Sequence, residues 1–295
     1  MEGELAERFE EQASLQGKGK NRGGGRGGKA KGGGGPPREV AVSKALSRLL
    51  RHQAENAGIK LDREGYAPVD RVLQYGPIRS LKVTLDDIQQ AVADSDKQRF
   101  SIKPNPATNP SGDESSTDPS HWLIRANQGH SIKVESEALL QPVTLDNVPP
   151  VVVHGTYFAF WPLVLESGGL KRMARNHVHC STGLPEDQAA GVVSGMRRDA
   201  ELLVYVDVRR SLEDGAMKWW ISDNGVVLTE GNEEGLVPTK YFKEVVGRKE
   251  DVGVLWKDGE KVADLPPNIK ARLPPGKGGG RGGRGGGRGG DRGGR

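Results

Sequence analysis

The sequence predicts an α+β protein with two folded lobes between low-complexity arms. Three observations support this prediction: short helices followed by a strand pair in the first lobe, a series of short apolar strands with few helices in the second, and ends rich in Gly, Lys and Arg. The lobes are assigned to residues 39–140 and 150–250, and the arms to residues 1–38 and 276–295.

The composition of the arms predicts disorder. Residues 1–38 contain 12 and residues 276–295 contain 13 of the chain's 43 glycines. Such segments bury too little apolar surface to offset the entropy lost on ordering. Arg-Gly repeats attract phosphates and stack on bases, so non-specific RNA binding through the arms is expected. A solubilising or linking role is the alternative.

Composition also excludes several classes of protein. The isoelectric point of about 9.1 derives from the arms, because acidic side chains outnumber basic ones between them. No run approaches the roughly 18 apolar residues of a membrane span, and the acidic N-terminus lacks an apolar signal region. We therefore expect an intracellular protein, nuclear or cytoplasmic, that is neither secreted nor bound to a membrane. Cys180, the single cysteine, excludes a disulfide framework and a thiolate zinc site.

Three helices and a hairpin are predicted in the first lobe. Apolar residues at helical spacing predict a helix over residues 42–50, and shorter helices are expected near 69–75 and 84–93, the last with an approximate capping box from Thr84. Residues 99–102 and 122–126 then form a hairpin, and the polar stretch 103–119 between them is interpreted as a flexible loop. This order of elements is that of a winged-helix module.

The second lobe is predicted to be rich in strands. A helix over residues 157–166 ends at Gly168-Gly169, and Asp223-Asn224-Gly225 is a hairpin turn. The predicted strands cover residues 151–154, 178–180, 202–208, 217–221 and 226–229.

Four places carry side chains that could do chemistry, and each also has a structural explanation. Arg51-His52 ends the first helix, where cations meet the helix dipole favourably. Arg125 opens the dense polar run 125–131, His154-Gly155-Thr156 closes an apolar strand, and Arg197-Arg198 precedes another strand. The sequence has neither a carboxylate pair at diagnostic spacing nor a cluster of metal ligands. Because guanidinium forks suit phosphate, the predicted ligand is a polyanion.

The chain resembles the tRNA 2′-phosphotransferase family through ordered motifs between about residues 39 and 245. The motifs are SKALSRLLRH (43–52), LDREGY (61–66), KQRF (97–100), IRANQGHS (124–131), HGT (154–156), SGGL (167–170), NHVH (176–179) and SGMR (194–197). The arms and the 103–119 loop are outside the family's core pattern.

The resemblance implies a winged-helix-like, RNA-binding first lobe and an ADP-ribosyltransferase-like second lobe. The implied reaction transfers the splice-junction 2′-phosphate of tRNA to NAD without a metal, and the enzyme is expected to be a monomer. The implied catalytic residues are Arg51, His52, Arg125 and Arg197, with Arg198 an alternative register for the last. The implied NAD-binding residues are His154, Gly155, Thr156, Gly169, Leu170, His179 and Val237, and the implied RNA-phosphate ligands are Asn127, Gln128, His130 and Ser131.

Two other functions remain open at this point. An ADP-ribosyltransferase could leave its mark on RNA or DNA ends, performing the first chemical step without the second. A non-enzymatic RNA-binding scaffold is a third interpretation, against which the complete set of Arg51, His52, Arg125 and Arg197 argues.

Overall fold

A computed structural model describes residues 37–186, 194–269 and 271. The sequence predicts that the arms are disordered, and they lie almost entirely outside the described residues. Only Pro37 and Arg38, which starts the first helix, are described. The described chain is a mixture of short helices and four small sheets, which confirms the predicted α+β class. None of its helices is long and apolar enough to cross a membrane.

The first half of the chain is helical at its beginning. The first helix, α1 (Arg38–Arg48), continues directly into a π-helical turn, Leu49–Gln53. The helices are α1 (Arg38–Arg48), α2 (Val69–Gln74), α3 (Gly76–Ser80) and α4 (Leu85–Ala93). Thr84 and Asp87 form the full capping box of α4. Asp87 also receives both terminal nitrogens of Arg38, at 2.5 and 2.8 Å, and so ties the two helices together.

A small antiparallel sheet follows these helices. Its strands are β1 (Ala67–Pro68), β2 (Phe100–Pro104) and β3 (Trp122–Ala126), in the order β1-β3-β2. The β2–β3 pair is the predicted hairpin, with Ser101 opposite Arg125. Leu46, Leu49 and Leu50 of the first helix are fully buried in one core with this sheet. The core fixes the end of α1 next to the end of β3.

The loop between β2 and β3 carries hydrogen bonds of its own. Asn105 Nδ2 donates to Ser120 O at 3.0 Å, and Asn109 Nδ2 donates to Asp113 O at 2.9 Å. Trp122 Nε1 donates to Ser116 O at 2.9 Å, which fastens the loop to the start of β3.

The second half consists mainly of strands. Its helices are α5 (Ser136–Leu139), α6 (Trp161–Glu166) and α7 (Val208–Glu213). Its strands are β4 (Gln141–Val143), β5 (Val153–Thr156), β6 (Gly169–Lys171), β7 (Val178–Cys180), β8 (Leu202–Val206), β9 (Trp219–Ile221), β10 (Val227–Thr229), β11 (Leu236–Pro238), β12 (Phe242–Gly247), β13 (Val254–Lys257) and β14 (Glu260–Lys261).

These strands form sheets with the orders β14-β13-β12-β8-β5, β4-β9-β10-β7 and β11-β6. Trp219, Tyr241 and Phe242 are almost wholly buried in the core of this half. The predicted strand over residues 202–208 is too long, because the Asp207 carboxylate accepts from Arg210 N and starts helix α7. The first strand is observed at 153–156 instead of 151–154, which places His154 in its interior.

Candidate active site

The end of the first helix and the turn after β3 form one unit. Arg51 lies in the π-helical turn with only 8% of its surface exposed. Its carbonyl oxygen accepts the backbone N–H of Ser131 at 3.0 Å. Gly129 adopts a φ of +85°, and a Cβ there would lie 3.6 Å from the Arg51 guanidinium. The positive φ is what favours glycine here, because a Cβ would make only an ordinary van der Waals contact with Arg51.

His52 is held by the same turn. Its Nδ1 lies 2.8 Å from Ser131 Oγ. Burial, and then the charges of Arg51, Arg175 and Arg48, lower the pKa of His52 to about 4. The imidazole is therefore neutral at neutral pH and can act as a hydrogen-bond partner without adding charge.

Arg125 lies in β3 with its guanidinium almost completely covered. Nη1 donates to Glu64 O at 3.1 Å, and Nη2 donates to Asp223 Oδ2 at 2.5 Å. The Tyr66 ring lies 4.8 Å from the guanidinium carbon. Nε has no hydrogen-bond partner among the described residues. Two of its nitrogens thus orient the fork, and a further donor remains for a ligand.

His130 is buried close enough to Arg51, His52 and Arg125 to be affected by their charges. It is 2% exposed, and its Nε2 has no hydrogen-bond partner in the described part of the chain. Burial, followed by the charges of Arg51 and other neighbours including Arg125, lowers its pKa to about 3. Arg51, His52, Arg125 and His130 therefore form one electrostatically connected group, which we call the Arg51–Arg125 cluster.

Two other predicted RNA-phosphate ligands, Asn127 and Ser131, make side-chain hydrogen bonds within the protein. The amide of Asn127 donates to Gln98 O at 2.8 Å and accepts from Ser101 Oγ at 2.7 Å, so it joins β3 to β2. Ser131 is occupied with His52, and Gln128 is partly buried. These side chains shape the turn that carries the cluster.

Two predicted NAD-binding histidines are neighbours. His154 Nδ1 lies 2.8 Å from the carbonyl oxygen of His179, and because a carbonyl oxygen can only accept, Nδ1 is the donor. His179 Nε2 is buried without a hydrogen-bond partner among the described residues. Burial, then the charges of Arg175 and other neighbours including Arg51, hold the pKa of His179 well below its usual range. Arg51 thus connects His179 electrostatically to the cluster.

The remaining predicted NAD-binding residues pack against backbone or core. Leu170 faces Val237 across the β6–β11 pair, and both are buried. A Cβ on Gly169 would lie 2.1 Å from Val237 O, and one on Gly155 would lie 2.8 Å from Met196 Cγ. Thr156 is 8% exposed and accepts the N–H of Glu201 through its carbonyl oxygen at 2.8 Å. These residues bring strands close together instead of presenting side chains.

Arg197 and Arg198 occupy different environments. The Arg197 guanidinium lies 5.3 Å from the centre of the Tyr157 ring and donates to the Tyr157 hydroxyl at 3.2 Å. That hydroxyl donates to Asp199 at 2.9 Å. Arg197 is half-buried, whereas Arg198 is exposed. These contacts connect Arg197 with Tyr157.

Several residues near this site were not among the predicted ones. Arg175, in the β6–β7 loop, acts electrostatically on both His52 and His179, and its only sequence signal is a basic loop at residues 171–175. Asp223 was recognised as a turn residue, but its ion pair with Arg125 spans 98 positions and has no local signal. His177 lies 3.0 Å from Ser136 Oγ and 3.8 Å from Glu230.

A broad groove of about 1230 Å³ lies elsewhere on the second half of the chain. Four carboxylates, from Glu135, Glu137, Glu230 and Glu233, line it together with the single cation Lys218. This charge repels a polyanion, so the groove is not the phosphate site despite its size.

The protein is of the α+β class, and its Arg51–Arg125 cluster is of a kind that suits a phosphorylated ligand. Within the described ranges, no group of three or more His, Cys, Asp or Glu residues is arranged to hold a metal ion. The model of the RNA 2'-phosphotransferase, Tpt1 / KptA family matches residues 37–231, and the chain belongs to this family of transferases. The resemblance inferred from the ordered motifs is thereby confirmed.

Curated relatives agree. The chain is 41% identical to "tRNA 2'-phosphotransferase 1" of Bos taurus over 211 residues, which is 71% of this chain and 76% of the relative. It is 39% identical to the protein of the same name from Homo sapiens over 209 residues, with the same two shares. It is 36% identical to "tRNA 2'-phosphotransferase" of Saccharomyces cerevisiae over 231 residues, 77% of this chain and 90% of the relative.

Proposed function

We propose that this protein removes the 2′-phosphate left at the splice junction of tRNA and transfers it to NAD. The products are RNA with a 2′-hydroxyl, nicotinamide and ADP-ribose 1″,2″-cyclic phosphate. The observation that carries the proposal is the proximity of Arg51 and His52, from one family motif, to Arg125, from another, and their electrostatic connection through Arg51 to His179.

The residues present fit a dinucleotide as well as a phosphate. His179 Nε2 and Arg125 Nε are buried polar atoms without hydrogen-bond partners among the described residues, and such atoms are costly unless a ligand or water satisfies them. His154 lies beside His179, with its Nδ1 2.8 Å from the His179 carbonyl oxygen. His154 and His179 would therefore hold NAD, and the arginines would hold the RNA phosphate.

As a substrate, NAD would supply two groups. The first is C1″ of its nicotinamide ribose, to which an oxygen of the RNA phosphate would bond while nicotinamide leaves with the electrons of the broken bond. The second is the 2″-hydroxyl of the same ribose, which would then attack the phosphorus. In the second step the bond from phosphorus to the RNA 2′-oxygen breaks, and that oxygen leaves as a hydroxyl with the proton of the 2″-hydroxyl. Arg51 and Arg125, with Arg197 as a third fork, offset the charge on the five-coordinate phosphorus. Neutral His52 is available to carry a proton between oxygens.

Several structural features support the finer assignments. The helices followed by the β1-β3-β2 sheet suit a winged-helix-like RNA-binding lobe, and the paired sheets around β5 and β7 suit an ADP-ribosyltransferase-like lobe. Between the two adjacent arginines, the half-buried Arg197 on Tyr157 is favoured over the exposed Arg198. We propose further that the protein acts as a nuclear or cytoplasmic monomer whose arms add non-specific RNA affinity.

One assay tests this function. A short oligonucleotide with an internal 2′-phosphate is incubated with and without NAD, and both the RNA and the small-molecule products are separated by chromatography. Loss of the phosphate and appearance of ADP-ribose 1″,2″-cyclic phosphate only with NAD are expected. An RNA that retains ADP-ribose as the end product would instead support the ADP-ribosyltransferase alternative, and RNA binding without turnover would support the scaffold.

A further inference from the structure

Arg248 is a buried arginine directly after strand β12, outside the residues matched by the family model. Its side chain is 4% exposed. Nη1 donates to the carbonyl oxygens of Arg197, Arg198 and Ala200 at 3.1, 2.8 and 3.3 Å. Nε and Nη2 both donate to Glu186 Oε1, at 2.8 and 2.6 Å. The Arg248 guanidinium thus binds three backbone carbonyl groups of the segment that carries Arg197.

The same segment is held from its other end by the first half of the chain. Lys97 Nζ donates to Met196 O at 3.4 Å, and Ser194 Oγ donates to Lys97 O at 3.3 Å. At Gly195, a φ of +86° lets the backbone pass Cys180 O, which would lie 2.8 Å from a Cβ. Residues 194–200 are therefore fixed on both sides of Arg197, by Lys97 before it and by Arg248 after it.

We infer that Arg248 is a positioning residue that holds the backbone of residues 197–200 so that the Arg197 guanidinium remains over Tyr157. This inference rests on the proposed function, in which Arg197 contacts the transferred phosphate. Carbonyl groups of three residues would repel one another without a cation between them, and hydrogen bonds from a charged donor are about twice as strong as neutral ones. Small displacements of a catalytic group cost much more in rate than in stability.

Lysine cannot reproduce this arrangement. An ammonium carries one compact charge, whereas the guanidinium reaches the three carbonyls with one nitrogen and Glu186 with two others. Arg248→Lys therefore retains the charge and most of the buried volume but loses the geometry. Lys249→Ala is the matched control, because Lys249 is adjacent to Arg248 and is exposed. Like Arg248→Ala, this substitution removes one positive charge.

The experiment uses the full chain with Arg248→Lys, Arg248→Ala, Glu186→Gln and Lys249→Ala. Nicotinamide release and loss of the RNA 2′-phosphate are measured separately on the 2′-phosphorylated oligonucleotide, and thermal unfolding is measured for each variant. We expect Arg248→Lys to lower kcat for phosphate loss about tenfold or more with KM for RNA changed less than about twofold, to lower nicotinamide release less, and to accumulate ADP-ribosylated RNA. Lys249→Ala should match the unmodified protein.

The outcomes separate the inference from the proposed function. An inactive unmodified protein would refute the proposed function itself. If the unmodified protein is active, the rate of Arg248→Lys is compared with that of Lys249→Ala at a temperature at which both are folded. Equal rates would overturn the inference, even if Arg248→Lys had a lower Tm. If Arg248→Ala does not fold, Arg248→Lys decides the matter, and Glu186→Gln, which keeps Arg248 and weakens only its anchor, should give a smaller loss in the same step.

Discussion

Arg125 and Asp223 form an ion pair, with Nη2 and Oδ2 2.5 Å apart, that joins strand β3 to the turn between β9 and β10. The next residue of that turn, Asn224, donates from Nδ2 to Lys97 O at 2.9 Å. The turn of the second half therefore contacts the first half at two points, one of which is an arginine that the proposed reaction requires.

Asp223→Ala should lower kcat about tenfold with little change in KM for RNA. The carboxylate orients the fork of Arg125, and a charge-assisted hydrogen bond contributes roughly 1.5–3 kcal/mol, less here because Asp223 is partly exposed. Steady-state kinetics on the 2′-phosphorylated oligonucleotide measure both constants. A lower KM in Asp223→Ala would contradict this prediction and indicate that the carboxylate competes with the phosphate.

Arg125→Ala should impair the second chemical step more than the first. The phosphate dianion must remain nucleophilic in the first step, whereas the five-coordinate phosphorus of the second step carries extra negative charge. A slower-migrating, 2′-phospho-ADP-ribosylated RNA should therefore build up on a denaturing gel. Arg71→Ala, which changes an exposed arginine of α2, is the control. A dead Arg125→Ala without this species would place the arginine in substrate binding or the first step.

His154→Ala should raise the apparent KM for NAD. The substitution removes a side chain proposed to bind NAD and also the donor to the His179 carbonyl, and each lost hydrogen bond costs roughly 0.5–1.5 kcal/mol. Initial rates at varied NAD and fixed RNA measure the effect, with His121→Ala in the β2–β3 loop as the comparison. An unchanged KM for NAD would mean that His154 is purely structural.

Lowering the pH should destabilise the protein through its buried histidines. The pKa of His130 falls from 6.5 to about 3 on folding and that of His52 to about 4, so the unfolded chain takes up protons below about pH 6.5 that the folded chain does not. The free energy of unfolding should therefore fall between about pH 6.5 and 4, by up to about 1.4 kcal/mol per pH unit for each histidine. Urea unfolding across this range should show a shallower slope for His130→Gln. Leu139→Ala, near the same buried ring, should lower stability equally at every pH.

Removing residues 1–36 and 276–295 should leave turnover of a short oligonucleotide intact, because every proposed catalytic residue lies between them. Affinity for long RNA should fall and its salt dependence should flatten, since the deleted residues include 13 of the 43 Lys and Arg residues. Fluorescence anisotropy at several salt concentrations measures both effects. Loss of turnover on the short substrate would show that an arm belongs to the active site.

Local signals in the sequence account for the elements that were predicted correctly. Thr84 and Asp87 define a helix start within four residues, and Asn224-Gly225 defines a hairpin turn within two. Strands β11 to β14 were not anticipated, because their apolar residues alternate irregularly and their pairing with distant strands determines their conformation.

The site was predictable to the extent that motifs name side chains. Arg51, His52 and Arg125 could be selected from their residue types and order, and the structure brings them together. Other interactions of the site join chain segments that are far apart in sequence. They are the ion pair of Arg125 with Asp223, the effect of the Arg175 charge on His52 and His179, and the hydrogen bonds from Arg248 to the backbone of residues 197–200. No spacing rule contains that information.

The π-helical turn at Leu49–Gln53 makes the enzyme sensitive to the number of residues in its first helix as well as to their identity. An α-helix advances about 100° per residue, so a one-residue deletion that restored a regular helix would rotate Arg51 and His52 away from the turn that contacts them. A one-residue deletion in this segment should therefore be more damaging than a conservative substitution that keeps its length. Variation in a natural population should therefore include substitutions in this segment but no changes in its length.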